Sequence, residues 1–412
     1  MKKLKTIFSP RKMILWIFLI VLLLTVPEIT KPAMSETEAI VTMMSIDKVD
    51  ENIKVSTAVL TPATEKQVNY EVYSGIGETV GEAVENVSLS LGKSMGFAQC
   101  EIMAFGDNIS QEGIMSSLDF MTRTRKVGRN ALLINFSGDV EEFQQAVINL
   151  NIEKSLPLEE ILSFDRRYIP TKDSNIHAFY KGYFSKISTG IMPKVQLLKE
   201  KEGKNPIELE SGSTGGGNAS EPGSGTGGNT KKQYILNDGT VCVFKDGKKE
   251  VELKPELMKN LNLMLNNEQE GTLKVENVTD DLYKNSNIVL SITEKTVKFS
   301  PKFEGPTPIM KIEIELVVVV EEVDEENPNK NFLKRNKEFL TPALVEKTKE
   351  TVKAKTSEII DFCKENNVDI IGVYKNFYRK QYKDFKKYYS SVQEKYLDDV
   401  EFNISVKVSS SA

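Results

Sequence analysis

With 412 residues and a formal charge of −5, set by 54 Lys and Arg against 59 Asp and Glu, the chain has room for two or three domains. The mildly acidic balance gives no general reason to expect a nucleic-acid partner. The three cysteines, Cys100, Cys242 and Cys363, form no C-x-x-C pair and are too few for a disulfide-dense scaffold. One bridge stays open to them, although isolated buried thiols are the plainer reading.

The strongest apolar stretch is Met13 to Val26, MILWIFLIVLLLTV, preceded by Lys2, Lys3, Lys5, Arg11 and Lys12 and followed by Glu28, Glu36 and Glu38. It falls short of the roughly 20 residues that cross a hydrocarbon core of about 30 Å. Ile7 and Phe8 lengthen the apolar surface, and Arg11 and Lys12 can snorkel toward headgroups. The basic flank stays in the cytoplasm and sends the remainder across. Pro27 to Pro32 carries no small-x-small cleavage pattern, and Ala33-Met34-Ser35 lies far downstream. A retained anchor is therefore favoured over a cleaved signal, and no cysteine near the end of the run offers a site for lipid. Residues 1–35 read as a basic cytoplasmic tip and a transmembrane anchor or signal.

Beyond the leader, 39–46 and 53–60 predict a hairpin, since Ile53, Val55, Thr57 and Val59 alternate on one face. A strand over 68–74 follows. From Thr79 the apolar period changes: Val80, Ala83, Val84, Val87 and Leu91 mark a helix that stops near Gly92. A strand over 97–105, a helix over 109–121, a central strand over 131–136 and a helix over 140–150 complete a unit of residues 36–200. Gly138-Asp139 supplies the turn and cap before the last helix. Residues 201–232, centred on SGSTGGGNASEPGSGTGG, are too small and polar to offset the entropy of ordering and read as an interdomain linker.

Residues 233–280 read as a small middle domain, with strands over 234–236 and 240–244, a tight turn at Asp246-Gly247, a helix over 255–265 and a strand over 272–278. In the last unit, 281–412, strands are expected over 287–292 and 296–299 around a turn at Thr293-Glu294-Lys295, and a long strand over 309–320. Thr341-Pro342 starts a helix of more than twenty residues, striped by Leu344, Val345, Thr348, Val352, Thr356, Ile359, Ile360 and Cys363. A second helix over 374–389 and a strand over 400–408 close the chain. The fold class is thus α+β: an N-terminal membrane helix, then three mixed domains, each with a largely antiparallel sheet and packed helices.

Catalytic signatures are scarce. His177 is the single histidine, which excludes a site built on two imidazoles, and no G-x-S-x-G elbow accompanies it; it reads as a structural or surface residue beside a strand-like segment ending at Tyr183. Glu141-Glu142, Glu159-Glu160 and Glu321-Glu322 are adjacent in sequence, which does not place two carboxyls across a cleft. Gly75-Ile76-Gly77 lacks the third glycine of a dinucleotide fingerprint. No cofactor or metal is expected. The segment YKNFYRKQYKDFKKYY, 374–389, is more distinctive. Its aromatics fit a core stripe with a solvated basic back; alternatively Tyr374, Lys375, Tyr378, Arg379, Lys383 and Lys386 form a contact for a partner or an anionic lipid surface.

Several of these pieces together resemble the Ger(x)C proteins, the C subunits of bacterial spore germinant receptors. The resemblance rests on Ile46-Asp47-Lys48, on Tyr73 to Thr79 leading to Ala83-Val84-Glu85-Asn86 and Leu91-Gly92-Lys93, and on Ala104-Phe105-Gly106 with Glu112-Gly113-Ile114. It continues through Val243-Phe244-Lys245 and Asn367 to Gly372. The resemblance implies a three-domain, non-enzymatic protein on the outer face of the inner spore membrane. It would act with two integral membrane subunits, of A and B type, in nutrient-triggered germination. The family usually carries a lipobox cysteine and a shorter linker; this chain departs on both counts, leaving Met13 to Val26 as its attachment. The competing readings are an exported cell-envelope hydrolase and a structural envelope protein.

Overall fold

The computed structural model describes residues 38–61, 69–154, 174–199 except 186 and 188, 233–265 except 237 and 238, 271–324 and 339–410. The expected anchor within 1–35 and the linker 201–232 lie outside the described residues. Among those described, no helix is long and apolar enough to cross a membrane.

Strands β1 (Glu38–Val49), β2 (Asn52–Thr61) and β3 (Asn69–Gly77) form an antiparallel meander, with the first turn made by left-handed Asp50. Helix α1 (Val80–Leu91) lies on it, opened by the Thr79 hydroxyl accepting from the Glu82 amide and closed at left-handed Gly92. The glycines before it have a packing role. A Cβ at Gly77 would stand 2.6 Å from the Ala83 nitrogen, and one at Gly75 would collide with the Ala83 carbonyl, so only glycine lets the helix lie this close.

Of the expected strand over 97–105 only the second half forms, as β5 (Ile102–Gly106); a short β4 (Ser94–Gly96) precedes it, and between them is a turn in which the Cys100 amide donates to the Phe97 carbonyl. The expected helix over 109–121 likewise divides at Gly113, φ +128°, into α2 (Asp107–Glu112) and α3 (Met115–Arg123). Strand β6 (Leu132–Ser137) and helix α4 (Val140–Lys154) follow the sequence reading, with Asp139 accepting from the Glu141 and Glu142 amides at 2.9 and 3.0 Å. The segment ending at Tyr183 is helix α5 (Ile176–Tyr183) rather than a strand, because the Asn175 side chain caps it by accepting from the Ala178 amide at 2.8 Å.

Strand β7 (Thr189–Lys199) has no counterpart in the sequence reading, and Pro193 argues locally against a central strand. The proline is tolerated because β6 pairs with β7 only from Lys194 onward. Strands β8 (Gln233–Leu236), β9 (Val241–Lys245) and β10 (Lys248–Leu253) complete, among the described residues, a sheet of ten, ordered β10-β9-β7-β6-β5-β1-β2-β3 with β4 on β1 and β8 on β7. Its centre, β1-β5-β6-β7, is parallel, which corrects the expectation of a largely antiparallel sheet. Helices intervene between β5, β6 and β7, and a crossover that returns to the same edge delivers a parallel strand.

Helix α6 (Pro255–Met264) leads to a second sheet, β11 (Gly271–Thr279), β12 (Lys284–Glu304), β13 (Thr307–Asp324) and β14 (Glu401–Ser410), in that order. The expected turn at Thr293 is a bulge inside the single strand β12, with the Thr293 hydroxyl bonded to the Val317 carbonyl at 3.2 Å. β14 runs parallel to β13 because helix α7 (Pro342–Glu365) carries the chain back between them, a second departure from the antiparallel expectation. Thr341 caps α7 as its sequence predicts, accepting from the Leu344 amide at 3.2 Å.

The stretch 233–280 is shared: β8, β9 and β10 belong to the first sheet and β11 to the second. Strand β9 joins the two. Its alternation sends Cys242 and Phe244 into the core around Met192 and Phe179, and Val241 and Val243 into the core of the second sheet with Met258 and Leu261. These four of the five β9 side chains are fully buried, so one strand serves as a wall of two cores.

Candidate interaction surface

The basic aromatic segment is built on Asp369. This buried carboxylate accepts from the Val373 and Tyr374 amides at 2.8 and 2.7 Å and from the Tyr396 hydroxyl at 2.7 Å, tying down the first turn of helix α8 (Val373–Lys380). Burial pushes the Asp369 carboxyl above the ordinary carboxylate range against the pull of these donors. Burial, then the Asp369 charge, pushes the Tyr396 phenol up.

The single helix expected over 374–389 is broken. Gln381, at φ −133° and ψ 41°, separates α8 from α9 (Tyr382–Val392). The break has a packing reason. Phe377 and Phe385 would sit about 12 Å apart along a continuous helix, yet their rings stack with centroids 5.2 Å apart. Folding the segment at Gln381 buries both rings, while the Gln381 amide donates to the Pro301 carbonyl at 3.2 Å and the Lys380 ammonium donates to the Phe299 carbonyl.

Tyr374 is 8% exposed and packs edge-on against Phe385 and Tyr389, so it supports the surface from beneath and is not itself available for contact. Lys375, Tyr378, Arg379, Lys383 and Lys386 are exposed. Tyr378 and Tyr382, 45% and 46% exposed, meet edge to face at 5.0 Å, and the Lys386 ammonium stands 5.8 Å over the Tyr382 ring. Across α8 and α9, six cations face a single acid, Asp384. The surface is therefore an aromatic ledge fringed with positive charge, chemistry that suits phosphates or carboxylates beside an apolar boundary.

Beside this ledge the two halves of the chain meet. Lys245, at the end of β9, pairs with Glu394 at 3.4 Å and donates to the Asn367 carbonyl at 3.3 Å. Ile187, Asp246, Asn367 and Tyr389 line a cleft of about 30 Å³ there, room for one water. A second polar joint lies at the ends of the parallel strands. Lys249 on β10 binds Asp107 at the start of α2; Ser137 donates to Asp107 at 2.6 Å, and Lys194 on β7 binds Glu252 at 2.6 Å. Burial raises the Asp107 carboxyl, but the Lys249 and Ser137 hydrogen bonds with the Lys249 and Lys194 charges outweigh it and hold the group below the ordinary range. No sequence motif announces these partners, because Asp107 and Lys249 lie 142 positions apart.

The remaining candidates are dispersed. His177 is exposed on α5. Glu141 and Glu142 occupy the first turn of α4, where Glu141 pairs with Lys54 at 3.4 Å. Glu321 and Glu322 are at the end of β13, and Glu159-Glu160 lies outside the described residues. Cys100, Cys242 and Cys363 are free and buried, and burial pushes each thiol up to about 12.

Two family models match in chain order. Residues 35–197 match the spore germination protein N-terminal domain, and residues 239–410 match the spore germination B3/GerAC-like C-terminal domain. The chain belongs to the Ger(x)C family of spore germination proteins. The crystal structure of the GerBC protein shares its fold, with a TM-score of 0.50 at 14% identity over 90% of this chain and 97% of that one. No curated protein matches it. As a Ger(x)C protein it belongs with the germinant-receptor C subunits and has a role in spore germination. The border between the two matched regions falls inside the ten-stranded sheet: β7 reaches the end of the first region, and β9 and β10 open the second.

Proposed function

We propose that this Ger(x)C protein is a non-enzymatic, membrane-tethered subunit of a spore germinant receptor, needed for nutrient-triggered germination through assembly with two integral membrane subunits of A and B type. The observation that carries the reading is the ordered match of both family regions over nearly all of the chain beyond the leader. Met13 to Val26 supplies a single-pass anchor, with the folded body held outside the cytoplasm at the spore inner membrane. The exposed Lys375, Tyr378, Arg379, Lys383 and Lys386, backed by buried Tyr374, form the contact with partner subunits or with the anionic lipid surface.

Affinity capture of the tagged full chain from gently solubilised sporulating cells tests the reading. Recovery of two multispanning proteins with it is the expected result; recovery of the chain alone overturns the assembly. A sucrose-gradient separation of spore membranes places the chain in the inner-membrane fraction. Its appearance in the soluble fraction with residues 13–26 intact overturns the tether.

A further inference from the structure

Three of the chain's eight arginines, Arg123, Arg125 and Arg129, fall close together at the end of α3 and in the loop after it. Arg125 is committed to the Phe120 ring, 5.7 Å away. The other two line an open cleft of about 520 Å³ against α5, within the roughly 300–1,000 Å³ range of small-molecule sites. The cleft is far from neutral in chemistry. Arg123 is held by Asp119 at 2.7 Å, whereas Arg129 makes no ion pair among the described residues. The Thr122 and Tyr180 hydroxyls bond each other at 2.9 Å, and the Tyr180 ring stacks on Phe184 with centroids 5.7 Å apart at 14°. Phe184, met edge-on by Tyr183 at 5.2 Å, is still 76% exposed at the cleft.

We infer that this cleft binds a small organic anion, its carboxylate paired with Arg129 and its planar or apolar body laid on the Tyr180–Phe184 shelf. The guanidinium presents a fork that matches a carboxylate with two parallel hydrogen bonds, and lysine would not supply that geometry. The ring shelf distinguishes the ligand from a bare inorganic anion, which would leave Phe184 in water and gain nothing from it. The concave lining distinguishes it from the α8–α9 ledge, whose cations are exposed along two helices. This inference does not depend on the receptor assignment.

Equilibrium dialysis of the detergent-solubilised full chain against labelled benzoate, with protein-free micelles as the blank, tests it. Saturable binding is expected, weakened at least tenfold in Arg129→Gln and at least threefold in Phe184→Ala, with benzyl alcohol and inorganic phosphate failing to compete. Both side chains are exposed, so unchanged thermal melts by circular dichroism accompany the loss. Absence of saturable binding overturns the site, as does full retention in Arg129→Gln. Displacement by equimolar inorganic phosphate overturns the ring-shelf assignment, and Arg129-dependent binding to phosphatidylglycerol vesicles without benzoate binding assigns the arginine to lipid instead.

Discussion

Strand β9 and the α8–α9 ledge lie side by side at the meeting of the two halves, yet they invest their apolar residues in opposite ways. β9 is buried on both faces and gives one pair of side chains to each core. The ledge buries Tyr374, Phe377 and Phe385, and leaves Tyr378 and Tyr382 nearly half exposed among lysines. The difference separates a joint, whose loss should be a folding defect, from a surface, whose loss, under the proposed function, should be a partner defect. It also means that the two family regions cannot be cut apart at their border without baring one edge of β7 and the Cys242–Phe244 face of β9.

The largest expected effect is at the joint. Phe244→Ala removes a fully buried ring that meets Phe179 edge-on at 5.6 Å, and should cost about 3–5 kcal/mol of unfolding free energy in a urea titration. An effect no larger than that of a surface substitution would break the distinction. Next, Asp107→Asn removes one of the two carboxylates on the Lys249 ammonium in a half-buried site, leaving Glu252 at 3.3 Å, and should cost about 1.5–3 kcal/mol. Gly75→Ala, by forcing α1 off β3, should cost about 1–3 kcal/mol through overpacking.

The pH dependence sharpens the same comparison. The folded value of Asp107 lies below its unfolded value. Its stabilisation is therefore complete above the unfolded value of 3.8 and is lost as the pH falls through the lower folded one. Asp369 has the opposite sign: its folded value is raised, so acid relieves a cost there and removes no stabilisation. Urea midpoints followed from pH 5 downward should fall less steeply in Asp107→Asn than in the parent; parallel curves would remove Asp107 from the account. The smallest change in stability belongs to the ledge. Lys383→Glu with Lys386→Glu should alter unfolding by no more than about 0.5 kcal/mol, while capture of the membrane partners falls several-fold. Undiminished capture would show that the partners dock elsewhere.

Local chemistry was legible in the residues themselves. The caps at Asp139 and Thr341, and the turn at Asp246-Gly247 with both residues left-handed, depend on atoms within a few positions of one another. The helical stripe of α7 is likewise a periodicity, and it buries the residues it marks from Leu344 to Cys363, except Val345, which is half-buried. The basic and aromatic content of the ledge could be read as well. Which of its rings face inward could not be, because the break at Gln381 exists to stack Phe377 on Phe385, and that contact depends on β12 beneath it.

By itself, then, the sequence determined the α+β class, the family, most of the helices and the charged segment, since each rests on short-range pattern or composition. Only the tertiary structure decided the parallel centre of the first sheet, the pairing of β14 beside β13, the strand at Pro193 and the double burial of β9. These are pairings between residues far apart in the chain. Their free energy comes from surfaces that do not exist until the other partner has arrived, so no window along the sequence contains them.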